Sequence, residues 1–187
     1  APNSWRAQYL LGAEYTRRMN GETAPVLRKE LFDNALTHLN SSLGVMQNVD
    51  VWIYKAFAFE FAHGYDDSAI HCYKMTLALD SNDHQAANNL GSVYLRRNQL
   101  DAAIAILSKV VAKDTIHTDA LANLAAAYGN KGMFKEAEKY YMMVLRKDPD
   151  PPQNVLMSVS NIYKFMGDSV NAPRYRQLLF NKMSRRQ

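Results

Sequence analysis

The chain has 187 residues, 48% of them hydrophobic and 21% charged, which excludes the disordered, collagen-like and supercharged classes and allows one domain or two small ones. Twenty-two Lys and Arg stand against 18 Asp and Glu, a net charge of +4. That excess is too slight for a protein that lives on phosphate backbones, so no nucleic-acid partner is expected. No apolar run approaches the roughly 18 residues that cross a bilayer, and the chain as given reads as soluble, with a membrane entering only through a flanking segment. The opening Ala1-Pro2-Asn3-Ser4 has neither an initiator Met nor a signal-type apolar stretch, which predicts a processed chain or a fragment of a longer one. Cys72 is the single cysteine, so no internal disulfide forms and the redox compartment stays open.

In chain order, the same short pattern returns. Leu11-Gly12-Ala13-Glu14-Tyr15 opens the series, and after the inserted Asn20–Pro25 segment comes Asp33-Asn34-Ala35-Leu36-Thr37-His38-Leu39. Asp67-Ser68-Ala69-Ile70-His71-Cys72-Tyr73 follows, then Leu90-Gly91-Ser92-Val93-Tyr94 with Asp101-Ala102-Ala103-Ile104, then Leu124-Ala125-Ala126-Ala127-Tyr128 with Lys135-Glu136-Ala137-Glu138. The alanines at 35, 69, 103 and 137 recur every 34 residues, and Ala172 is displaced by one residue through the extra length in Asp148–Gln153. Between the two halves of each unit stand Gly64, Asn98, Gly132 and Gly167, the residues that a left-handed helix C-terminus prefers.

Each unit therefore reads as helix, tight turn, helix. Ala87, Leu90, Gly91 and Tyr94 follow the i, i+3, i+4, i+7 spacing of one helical face, and Ala103, Ile106, Leu107, Val110 and Val111 follow it in the partner helix. Two antiparallel helices pack 8 to 10 Å apart, and the closest crossing needs a side chain no larger than alanine on at least one of them. Gly91, Ala103, Ala125 and Ala137 meet that need, with Tyr94, Leu107, Tyr128 and Tyr141 filling the space around them. Pro173 sits where the last second helix should begin, which predicts a late start to that helix.

A 34-residue helix-turn-helix unit with Leu-Gly-x-x-Tyr, then Ala, then an aromatic, then Asp148-Pro149 resembles the tetratricopeptide repeat family. The resemblance covers nearly the whole chain as one array, residues 1–187, in units of about 5–44, 50–83, 84–117, 118–151 and 153–187. It implies an all-α, right-handed superhelical solenoid of antiparallel helix pairs, each stabilised by its neighbours and lined on its concave face by the first helix of each unit.

Chemistry of a catalytic kind is absent from the pattern. The five histidines at 38, 63, 71, 84 and 117 form no metal-binding pair. His71 and Cys72 would stand about 100° apart on a helix, poor geometry for a shared tetrahedral ion. No phosphate loop, nucleophile elbow or isolated carboxylate pair is present. Asp67, Asp101 and Glu136 fall in first turns of second helices, where the helix dipole accounts for them. No enzyme activity, cofactor or metal is expected, and Cys72 reads as a small buried hydrophobe.

What remains is the first-helix face. In the third unit it carries Asn88, Asn89, Ser92 and Arg96, in the fourth Asn123, Ala126 and Asn130, and in the fifth Ser158, Asn161 and Lys164. The second unit replaces amides with Tyr54, Lys55, Ala58 and Phe61, and the first adds Tyr9. Asn89 and Asn123 stand one repeat apart and resemble the asparagine ladder of family members that hold an extended peptide by its main chain. A carboxamide accepts from N–H and donates to C=O at once, as backbone recognition demands. The Lys-x-x-x-Asn pair of the family's carboxylate clamp is missing. Tyr54, Lys55, Phe61, Asn88, Asn89, Ser92, Arg96, Asn123, Asn130, Asn161 and Lys164 are accordingly the candidate binding residues of a non-catalytic scaffold for a peptide or partner protein. The other reading is a structural or regulatory module of a larger protein, of the membrane-anchored or glycosyltransferase-like kinds that carry such arrays. The last stretch holds Arg174, Arg176, Lys182, Arg185 and Arg186 with no acid, and reads first as a solvated helix end. The partner's identity, the compartment and the oligomeric state are not written in the sequence.

Overall fold

The computed structural model of the chain describes residues 4–113 and 117–184; Ala1, Pro2, Asn3, Arg185 and Arg186 lie outside them. The described residues form ten α-helices and no strand: α1 Trp5–Met19, α2 Pro25–Val45, α3 Val49–Ala62, α4 Asp66–Leu79, α5 His84–Arg96, α6 Leu100–Lys113, α7 Thr118–Asn130, α8 Phe134–Lys147, α9 Gln153–Phe165 and α10 Asn171–Ser184. They fall into two compact units, Ala1–Val93 and Tyr94–Gln187, divided within α5.

Turn chemistry sets the helix breaks. Gly64, Gly132 and Gly167 have φ of 78°, 82° and 75°, and Asn98 has φ 55°, a region that glycine enters freely and asparagine at modest cost. The larger first connection, from Met19 to Pro25, turns through Gly21 at φ 87°. Pro25 opens α2 at the position where a missing N–H costs nothing. The last hairpin behaves as the proline predicts: α10 begins at Asn171, four residues past Gly167, whereas α8 begins two past Gly132. Pro173 is then the third residue of its helix. Asp168 accepts from the backbone N–H of Asn171 at 2.8 Å and of Val170 at 3.0 Å. These bonds, that of Asn171 first, hold its exposed carboxyl below the ordinary carboxylate range.

In the first unit, α1 packs on α2 and α3 on α4, with α3 also against α1 and α2. The α1–α2 crossing is made by Gly12 against Leu39, both buried; a Cβ on Gly12 would lie 2.6 Å from Leu39 Cγ. Buried hydroxyls are satisfied locally: Thr16 donates to the Gly12 carbonyl at 2.8 Å and Ser42 to the Trp5 carbonyl at 2.8 Å. In α4, Cys72 is 1% exposed, and burial pushes its thiol up to about 11, against a smaller opposing pull from Lys55. A thiol held protonated by the fold stabilises the folded state below the unfolded-chain value near 9, and that contribution is lost as pH rises from about 9 through 11. Native protein should therefore react with a disulfide reagent at pH 8 only as fast as it opens, and Cys72→Ala should flatten the loss of stability between pH 9 and 11. Immediate stoichiometric labelling of folded protein would contradict this burial.

In the second unit, α7 packs on α6 and α8, and α9 on α8 and α10. Ala125 and Ala137 have no solvent exposure, as the small-residue crossing requires. Tyr128 stacks on Tyr140 with ring centroids 5.7 Å apart, and Tyr163 on Tyr175 at 5.6 Å. Ser160 donates to the Ala172 carbonyl at 2.9 Å, closing the α9–α10 pair. Tyr163 also donates to Glu138 at 2.7 Å, tying α9 to α8. Burial first, and this bond second, raise the Tyr163 phenol well above its ordinary value.

Candidate functional site

The predicted residues separate by unit. In the first, Tyr54 belongs to an aromatic wall shared by α1 and α3: its ring is edge-on to Tyr9 at 5.7 Å and to Phe57 at 5.9 Å. Phe57 stacks on Phe61 at 6.2 Å, extending the wall along the helix. Arg17 donates to the Tyr54 hydroxyl at 2.9 Å and its guanidinium sits 5.2 Å from the ring centre, so the polar edge of Tyr54 is spent inside the fold. Lys55 is not part of this wall. One residue further round α3, its ammonium lies 5.0 Å from the centre of the Trp52 ring, and it lines an open cavity with Phe59, Ser68, His71 and Cys72. The 100° step per residue of an α-helix is enough to carry it off the face that Tyr54 and Phe61 share.

Asn88 is 8% exposed, a buried polar side chain with its interactions inside the chain. Asn89 and Ser92 are half-buried. The sequence pattern placed all three on one lining face, but neighbouring positions on a helix differ in burial, and Asn88 faces the interior.

In the second unit, Arg96 is exposed and Asn123 half-buried, each engaged within the fold. Lys164 is exposed near the end of α9. Asn130 and Asn161 are exposed and come together at a pocket of about 160 Å³ between α7, α8 and α9. Ala126 and Gly129, the small residues of α7, open its floor, and Ser158 of α9 lies beside them. The phenol of Tyr141, raised by burial and drawn the other way by a hydrogen bond with Ser158, forms another part of the lining. The pocket thus offers two carboxamides and a hydroxyl around a space about the size of one side chain.

Its aromatic rim was not read from the sequence. Phe134 of α8 and Phe165 of α9 stack with centroids 5.4 Å apart and planes 3° from parallel, and both line the pocket. Phe165 is 71% exposed, an unusual state for a phenylalanine. The signal lay in the repeat register: Phe165 occupies the place that Arg96 and Asn130 hold in the preceding units. Polar, polar, aromatic at one lining position marks a change of function along the series.

Among the described residues no three His, Cys, Asp or Glu side chains gather as a metal site. None of the described helices is long and apolar enough to cross a membrane.

Serial helical hairpins of period 34, with small residues at the crossings and a left-handed residue at each turn, define a helical-repeat protein. Residues 94–158 match the tetratricopeptide repeat family, and the chain carries the helix-turn-helix repeats of that family. Solved structures share the fold over most of the length. MamA 41-end from Desulfovibrio magneticus RS-1 matches with a TM-score of 0.79 at 18% identity, over 96% of this chain and 97% of that one. A crystal structure of MamA matches at 0.76 and 23% identity, over 84% and 92% of the two chains. MamA of MSR-1 matches at 0.76 and 18%, over 98% of each. At these identities the likeness is one of fold. No curated protein matches the sequence.

Proposed function

We propose that the protein is a non-catalytic scaffold that binds an extended segment of a partner protein on the first-helix face of its repeats. The reading rests above all on the pocket of the second unit, where Asn130 and Asn161 stand exposed over small floor residues and beside an exposed phenylalanine. Exposed carboxamides contribute little to folding but pair with both donors and acceptors of a peptide main chain. A pocket of about 160 Å³ beside them takes one side chain, and the Phe134–Phe165 stack gives that side chain an apolar wall. The aromatic wall of the first unit, Tyr9, Tyr54, Phe57 and Phe61, offers the same kind of contact on α1 and α3.

The test begins with a random twelve-residue peptide library selected on the purified chain, followed by titration of the enriched peptides. Asn130→Ala with Asn161→Ala should leave the melting temperature nearly unchanged, since surface substitutions stay within about 0.5 kcal/mol. Each lost main-chain hydrogen bond should cost about 1 kcal/mol of binding, so the pair should weaken affinity by about tenfold or more. Unchanged affinity in a fully folded double variant would remove this pocket from the binding surface.

A further inference from the structure

A second cavity in the same unit lies away from that pocket and shares no residue with it. It is about 320 Å³ in volume, bounded by the end of α8, the loop that follows it, α9 and α10, and is of a size that small-ligand and peptide pockets reach. Leu145, Leu156 and Leu178 give it apolar walls, one from each of three helices, and Arg174 and Asn181 of α10 line it beside them.

The two cations at this cavity are in different states. Lys182 is committed: its ammonium donates to the Asp150 carboxylate at 2.7 Å, the Asp150 carbonyl at 2.9 Å and the Pro151 carbonyl at 2.6 Å, and its side chain is only 12% exposed. Three acceptors satisfy its three donors, and they pin α10 to the loop that forms the other side of the cavity. Arg174 is uncommitted. Its guanidinium lies 5.9 Å from the centre of the Tyr175 ring, it is exposed, and among the described residues no carboxylate pairs with it. The described length of α10 adds Arg176 and contains no Asp or Glu, so the local field favours an anionic visitor.

We propose that this cavity is a second protein-binding site. Its ligand would be a peptide segment that places an aliphatic side chain among Leu145, Leu156 and Leu178 and an adjacent Asp or Glu carboxylate on Arg174. A planar guanidinium pairs with a carboxylate through two parallel hydrogen bonds. The carboxamide of Asn181 supplies a donor and an acceptor for the segment's main chain. Lys182 does not touch the ligand; it holds the wall in place.

Two synthetic hexapeptide pools test this, one acetyl-X-X-Φ-Glu-X-X-amide and the other with Gln in place of Glu, where Φ is Leu, Ile, Val or Met and X excludes charged residues. The intact chain is followed by methyl NMR and by retention of peptides on immobilised protein. The glutamate pool should shift the methyl signals of Leu145, Leu156 and Leu178 and be retained at least about tenfold better than the glutamine pool. Arg174→Gln, an exposed change that should leave the melting curve in place, should erase that preference, and Asn130→Ala with Asn161→Ala should leave it intact. Equal retention of the two pools, an undiminished preference in Arg174→Gln, or loss of the preference in the Asn130/Asn161 variant would each overturn the proposal. Because the Asn130/Asn161 variant is judged separately in the library experiment, failure here leaves the reading of the first pocket standing.

Discussion

Replacing Gly12 by alanine is expected to destabilise the first unit, although alanine is the better helix former by about 1 kcal/mol. The added Cβ would lie 2.6 Å from Leu39 Cγ, 2.8 Å from Leu39 Cδ2 and 3.1 Å from the Leu39 backbone nitrogen. Leu39 has no solvent exposure, so its side chain has nowhere to retreat. Overpacking of this kind costs about 1 to 3 kcal/mol, which exceeds the gain in propensity over most of that range. Leu39→Ala alone should cost more, about 2 to 5 kcal/mol, through lost burial and the cavity left behind. The double variant should be less destabilised than the sum, because the new methyl of position 12 enters the space that Leu39 vacates. Trp5 and Trp52, the two tryptophans of the chain, both belong to the first unit, so denaturant melts followed by tryptophan fluorescence report on this unit directly. Strict additivity would show that α1 and α2 do not meet through this pair.

Ala137→Leu is the corresponding change in the second unit. Ala137 has no solvent exposure, and its Cβ lies 3.8 Å from where a Cβ on Gly129 would stand. Three further heavy atoms at a crossing already in contact force α7 and α8 apart, at about 1 to 3 kcal/mol. The same movement would disturb the pocket that Gly129 and Tyr141 line, so any peptide that binds there should be held less well. A chain that melts as the parent does would contradict the register of the repeat.

The architecture was legible because several independent signals agreed on it. Alanine every 34 residues, glycine or asparagine at each turn and apolar residues at helical spacing leave one arrangement, and positive φ at Gly64, Asn98, Gly132 and Gly167 is the physical form of that agreement. Even an irregular feature, the displaced last helix at Pro173, followed from proline's place in a first helical turn. The site was less legible. Repeat period assigns a residue to a helix and a turn, but a single 100° step decides between interior, lining and outer face. Asn88 and Lys55 show how that step changes the outcome: one is buried, and the other leaves the Tyr54 wall for the Trp52 ring. Nor does periodicity bring together residues from different positions in the repeat. Phe134, which begins α8, and Phe165, which ends α9, meet only because their two hairpins stack.

The most direct measurement of the account's central claim is a chemical-shift map of the chain with a library-selected peptide at saturation. The account predicts that the largest changes fall on Asn130, Ser158, Asn161 and the ring signals of Phe134 and Phe165, and that they weaken together in the Asn130→Ala, Asn161→Ala variant. Changes that leave these residues untouched, in a peptide bound tightly and stoichiometrically, would contradict it.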